Sequence, residues 1–250
     1  MFFSLHPMKI VTKLVKGNDV DRLPSEPVFL DNNVMHQPFA AIMLVKKEMH
    51  RLAEFAYAMI GDAKEAFVGN NMEAANTVLE EEENVDILQS KIVKYLSGIF
   101  SNESLTEHQA KEVAGLMKIA TDIEHVGDYC ENIAEYAIDK NKKKYEFSED
   151  AYGEITTGFA HIGKMMRNSI DALKSGDVNA AQDIKVQEET MNKMELDLRK
   201  QHMKRLNERA CSPEFTVIYN DIIHNLEKIG DSCDNMANAV LSDVNIKTAE

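Results

Sequence analysis

From residue 38 to about residue 242 the apolar positions recur every three or four residues, and no segment alternates apolar with polar. That period belongs to helices that bury one face, and it leaves no place for strands. Within 72–101, for instance, Val78, Val85, Leu88, Ile92, Tyr95 and Ile99 step by threes, fours and sevens. Six long helices are predicted. The first spans 38–69 and stops near Gly69-Asn70-Asn71; the second spans 72–101. The third starts after Ser104 or Thr106, where Ser104-Leu-Thr-Glu107 has a capping-box pattern, and ends in the basic run Lys140–Lys144, which suits the negative end of a helix dipole. The fourth spans 149–175, closed by Gly176. The fifth spans 177–210, opened by Asp177. The sixth spans 213–242, with Ser212 as cap and Pro213 as first residue. Residues 17–38 carry three prolines and little periodicity, so they read as a linker or extended arm. Short connections force neighbouring helices antiparallel. The expected fold is all-α: two tandem three-helix bundles over 38–147 and 148–250, packed together or in series, behind an arm or membrane-proximal linker at 1–37.

An internal repeat organises the two halves. Residues 122–134 and 225–237 read almost alike, and one constant shift aligns Glu124 with Glu227, Gly127 with Gly230, Asp128 with Asp231, Cys130 with Cys233 and Asn132 with Asn235. Self-similarity of this kind means one structural unit built twice. The glycines are expected to let a neighbouring helix approach closely.

The repeated polar residues form stripes. Beside the apolar face of the third helix, Glu124, Asp128, Glu131 and Glu135 follow one another at spacings of four, three and four. The sixth helix repeats this with Glu227, Asp231 and Asp234, then Asn238. The second carries Glu82 and Asp86; the fifth carries Glu188 and Asn192, an amide replacing one carboxylate. Like charges four apart on an exposed helix cost roughly 0.2–0.5 kcal/mol per pair. Divalent or trivalent cations offset that cost, and carboxylate oxygens are suitable ligands for them. Glu82, Asp86, Glu124, Asp128, Glu188, Glu227 and Asp231 are therefore the candidate ligands, with iron, zinc or magnesium as candidate metals. The competing reading is a solvated acidic face paired with lysines of adjacent helices. His125 and His224 flank the motifs at non-matching positions and read as surface or edge residues. The methionines of 191–203 read as core or interhelix packing.

Composition narrows the function. Twenty-eight basic residues against 42 acidic ones leave a net charge of −14, which repels nucleic-acid phosphates and suits cations. Three cysteines without a CxxC pair indicate a reduced, cytosolic chain, with Cys130 and Cys233 as small buried hydrophobes. The sequence contains no run of 18 apolar residues. The apolar, then basic stretch 1–16 reads as a short amphipathic helix lying on a membrane, or as the cut end of something longer. No nucleophile elbow, glycine-rich phosphate loop or His-Glu-x-x-His is present, so no enzyme is expected. Carboxylate-bridged storage or redox bundles usually show Glu-x-x-His on inward faces. Here the residues three after Glu124 and Glu227 are glycines. Such a bundle stays an alternative, as does a metal-free helical interaction scaffold.

Ile-Glu-His-Val-Gly-Asp-Tyr-Cys-Glu-Asn (123–132) and Leu-Glu-Lys-Ile-Gly-Asp-Ser-Cys-Asp-Asn (226–235) resemble the paired signature of PhoU proteins. The resemblance covers roughly 38–242. It implies two three-helix bundles, an E(D)xxxD motif that binds metal, and control of phosphate uptake. Glu124–Asp128, Glu227–Asp231 and Glu82–Asp86 match that motif, whereas Glu188–Asn192 departs at its last position. Phe29-Leu-Asp31, Pro38 and Val45-Lys-Lys-Glu-Met-His-Arg-Leu52 resemble the opening of the PhoU-like tail of bacterial sodium/phosphate cotransporters. Lys9, Lys13 and Lys16 would then lie on the cytoplasmic flank of a membrane helix. The partners so implied are a membrane phosphate transporter or an upstream membrane domain of the same chain, and a sensor kinase. A homodimer is compatible with this reading.

Overall fold

Short polar side chains set most of the helix starts. The computed structural model describes residues 25–101 and 105–248, so the expectations for 1–16 and for Ser104 fall outside the described residues. Helix α1 (Pro38–Phe67) opens on a proline, whose missing N–H costs nothing there. Asn71 caps α2 (Met72–Phe100) by accepting the N–H groups of Glu73 and Ala74. The capping box of α3 (Glu107–Lys143) is made by Thr106 and Gln109, two residues later than the expected pattern. Ser148 caps α4 (Glu149–Ser175), which closes on Gly176 in the left-handed region. Asp177 caps α5 (Val178–Asn207) as expected. The start of α6 differs from expectation. Pro213–Phe215 form a separate 3-10 turn, Ser212 makes no capping bond, and α6 runs only over Thr216–Leu241. Pro213 thus opens a short 3-10 turn ahead of the helix instead of the helix itself.

The fold is two tandem three-helix bundles. Helices α1, α2 and α3 pack on one another, as do α4, α5 and α6. Leu52, Met59, Leu88, Ile92, Leu116 and Ile123 fill the first core and Ile155, Ile162, Ile184 and Ile222 the second, each at most 1% exposed. The apolar positions read from α2 are all buried. Met191 is buried and Met194 half-buried as expected, but Met203 is 53% exposed and lies outside the core.

The bundles meet along α3–α6 and α1–α4. Asn132 Nδ2 donates to Asn225 Oδ1 at 3.3 Å, and Asn235 Nδ2 donates to Asp122 Oδ1 at 3.0 Å. Asp122 and Asn225 are repeat equivalents, as are Asn132 and Asn235. The two bonds are thus one contact made twice, which requires α3 and α6 to cross antiparallel about a pseudo-twofold axis. Arg167 of α4 forks onto Glu54 of α1 at 2.7 and 2.9 Å. Lys140 serves more than the dipole of its own helix. It is 2% exposed, and its ammonium donates to the Phe67 carbonyl at the end of α1 (2.6 Å) and to Tyr152 Oη of α4 (3.1 Å). It also sits over both rings.

Residues 25–37 are tied to the first bundle. Glu48, fully buried, accepts the N–H groups of Val28 and Phe29 at 2.8 and 2.7 Å and pairs with Arg51, while Tyr95 Oη donates to the Asp31 carbonyl at 2.6 Å. The motif glycines do not act as expected. A Cβ on Gly127 or Gly230 would touch Val85 or Met191 of its own bundle at an ordinary 3.5 or 3.4 Å. Close approach matters instead at Gly158, where a Cβ would lie 2.8 Å from Leu226 Cδ1.

Two outcomes follow. Glu48→Ala should lower unfolding stability by about 3 kcal/mol in urea titration, because it strips a buried charge pair and two backbone donors of their acceptor. Gly127→Ala should fold and unfold at an equal or higher temperature, since helix propensity improves by roughly 0.5–1 kcal/mol with no steric cost.

Candidate metal centre

Helices α2 and α3 are sequence neighbours that pack side by side. Glu82 and Asp86, one turn apart on α2, face the stripe of α3. Burial, and then the negative charges of Glu131, Asp128, Asp86 and Glu124, push Glu82 up to about 7. Glu124 and Asp128 are raised as well, by burial first. The negative charge of Asp128, one turn on, lifts Glu124 further. Glu131 is raised by burial and by Glu135 and Asp128. In the first bundle four predicted ligands, Glu82, Asp86, Glu124 and Asp128, thus feel one another's charge, together with Glu131. His125, half-exposed, stands beside them, its Nε2 3.8 Å from Glu124 Oε2. Glu82, Glu124, Asp128 and Glu131 are half-buried and Asp86 is exposed; with no lysine paired to them among the described residues, such carboxylates favour either protons or a cation.

The second bundle uses the same spacing differently. Asn192, in the place of Asp86, donates its amide to Glu188. Lys228, in the place of His125, lies 3.3 Å from Glu227 and 2.7 Å from Asp231. Lys185 reaches across from α5 to Asp234 at 3.1 Å and Asn238 at 3.0 Å. Glu188 and Glu227 are still raised, mainly by burial. Here the lysine-paired acidic face is what the structure shows. Glu188, Glu227 and Asp231 therefore do not form a second open carboxylate cluster like the first. Lys228 was legible in the sequence as the residue after Glu227. Lys185 was not, because it comes from another helix and carries no repeat signal. Cys130 and Cys233 are buried as expected, and burial raises both thiols, Cys233 to about 12. No helix among the described residues is long and apolar enough to cross a membrane.

The model of the PhoU domain matches the chain twice, over residues 49–137 and 156–240. A Thermotoga maritima protein named phosphate-specific transport system accessory protein PhoU homolog 1 is 24% identical over 200 residues, which span 80% of this chain and 85% of that relative. The crystal structure of PhoU from Pseudomonas aeruginosa superposes with a TM-score of 0.75 at 18% identity, covering 79% of this chain and 93% of the other. The phosphate transport system regulatory protein PhoU from Streptococcus pneumoniae gives 0.73 at 16%, covering 82% and 95%. These likenesses establish the shared fold.

The carboxylate cluster carries a pH signature. Glu82 has an ordinary value of 4.5 but about 7 when folded. Between those values the folded chain holds a proton that the unfolded chain releases, so stability falls as pH rises through that window. Urea unfolding at pH 5 and pH 8 should show this fall in the wild type and a smaller one in Glu82→Gln. A slope unchanged by the substitution would remove Glu82 as its source.

Proposed function

The chain belongs to the PhoU domain family, and we propose that it regulates phosphate transport at the cytoplasmic face of a membrane. It would act on a membrane phosphate transporter, either as a free-standing accessory protein or as the cytosolic domain of a sodium-dependent cotransporter, and a sensor kinase fits as a further partner. Its role is regulatory rather than catalytic. The two matched domains support the transport setting. The observation that carries the regulatory mechanism is the mutual charge coupling of Glu82, Asp86, Glu124, Asp128 and Glu131, with no lysine paired to them among the described residues.

In this reading Glu82, Asp86, Glu124 and Asp128 hold a divalent or trivalent cation such as iron, zinc or magnesium. A bound cation would neutralise the stripe and tie α2 to α3. The raised Glu82 then makes binding release a proton, so affinity climbs as pH passes neutrality. Glu188, Glu227 and Asp231 take a lesser part, because an amide and two lysines already occupy that face. The second bundle would thus be the rigid half and the first the responsive one.

Elemental analysis of the purified chain tests the site. Glu124→Ala/Asp128→Ala should lose bound metal, and Asp128→Ala should lose more than Asp231→Ala. Equal losses would remove the asymmetry from the mechanism. Radiolabelled phosphate uptake in cells lacking the gene tests the role. Uptake should stop responding to external phosphate, and wild type should restore the response better than Glu124→Ala/Asp128→Ala. Uptake unaffected by the deletion would sink the regulatory reading.

A further inference from the structure

We propose that the seam between α1 and α4 is a docking groove for an acidic amphipathic helix of a partner protein. It does not depend on metal binding or on a role in phosphate transport. The open groove, about 500 Å³ in volume, runs along residues 57–64 of α1 and 159–168 of α4. Those stretches are about 12 and 15 Å long, enough to receive roughly two to three helical turns and too extended to converge on a small ion. The constant shift of the repeat pairs Ile60 with Gly163, Gly61 with Lys164 and Lys64 with Arg167, and all six line the groove. It therefore straddles the pseudo-twofold axis that relates the bundles.

No carboxylate lines the groove, although the chain carries a net charge of −14; its charged groups are Lys64, Lys164 and Arg167. Arg167 is held by Glu54 and lies over the Tyr57 ring. Lys64 is the repeat equivalent of Arg167, but the equivalent of Glu54 is Thr157. Neither Lys64 nor Lys164 pairs with a carboxylate among the described residues. Gly61 and Gly163 lie inside long helices, where glycine lowers helix propensity. A Cβ on either would meet nothing within 4 Å, so packing within the chain does not call for them. Ile60 and Phe159 line the same groove as nearly buried apolar side chains. Bare backbone beside apolar side chains lets a third helix come close, and the two unpaired ammonium groups match acidic residues on its flanks. Other occupants fit less well. Residues 1–16 carry three lysines and no acidic residue, so this groove repels them. The stripes of a second copy lie along packed bundles and offer no protruding helix, and a bilayer surface is flat where the groove is concave.

The test is fluorescence anisotropy of the full chain with a labelled helical peptide, leucine on one face and glutamate on its flanks, beside the same peptide with lysine for glutamate. Wild type, Gly61→Leu/Gly163→Leu, Lys64→Glu/Lys164→Glu and Glu124→Ala/Asp128→Ala are compared after circular dichroism confirms that each is folded. The acidic peptide should bind the wild type, less tightly as salt is added, and the basic peptide should not. Filling the groove with leucine, or reversing its two lysines, should weaken binding at least about tenfold. Gly61→Leu/Gly163→Leu should still unfold at the wild-type temperature or above, and Glu124→Ala/Asp128→Ala should bind as the wild type does. An acidic peptide that the wild type does not bind, or that the leucine variant binds equally well, overturns the proposal. Inorganic phosphate and phosphatidylglycerol vesicles are titrated alongside. Binding of either that needs Lys64 and Lys164, without binding of the peptide, makes the groove a small-anion site or a membrane contact and also overturns it. A wild-type dimer that Gly61→Leu/Gly163→Leu dissociates in sedimentation assigns the groove to a second copy instead.

Discussion

Helix α3 is packed on three sides, and much of the structure follows from that. It buries one face against α1 and α2 and a second against α6. A helix so enclosed has one narrow edge left for charge, and Glu124, Asp128 and Glu131 share that edge, beside Glu82 of α2. The carboxylates are therefore half-buried by necessity. Burial and mutual repulsion then act together, and both favour the protonated or cation-bound state over free charge. The same enclosure explains why the crossing of α3 and α6 carries one amide pair, Asn132 with Asn225, and one amide–carboxyl pair, Asn235 with Asp122, whose carboxyl burial pushes up. Asn132, Asn225 and Asn235 sit between two cores, where a polar group needs a partner and a neutral one avoids the cost of burying charge.

The two bundles show how a duplicated unit diverges without losing its fold. The buried sets of α3 and α6 stay equivalent, since each must fill the same kind of three-helix core. The stripes have no such constraint. In the first bundle repulsion is left standing; in the second Asn192, Lys185 and Lys228 quench it. Stability favours the second solution. The first retains a cost that a ligand can offset, which is a common mark of function rather than of packing.

Much of the architecture was readable in the chain. Asp177 and Gly176 lie where they were expected, because capping depends on a few adjacent backbone groups. The apolar positions of α2 were all correctly read as core. Misreadings came where a residue's partner lies elsewhere. Lys140 looked like one of four lysines at a helix end, yet it caps a different helix. Gly127 looked like a point of close approach, yet its missing Cβ faces methionine and valine tips that leave room for one.

The sequence by itself determined six helices, their faces, their order and the doubling of the motif, since all of these follow from period and local propensity. It also supplied every carboxylate of the candidate site. Only the tertiary structure decided which carboxylates stand unopposed. Spacing along one helix says nothing about what the neighbouring helix presents, and the distance from Lys185 or Lys228 to an oxygen settles whether an acidic stripe is a solvated face or a place for a cation.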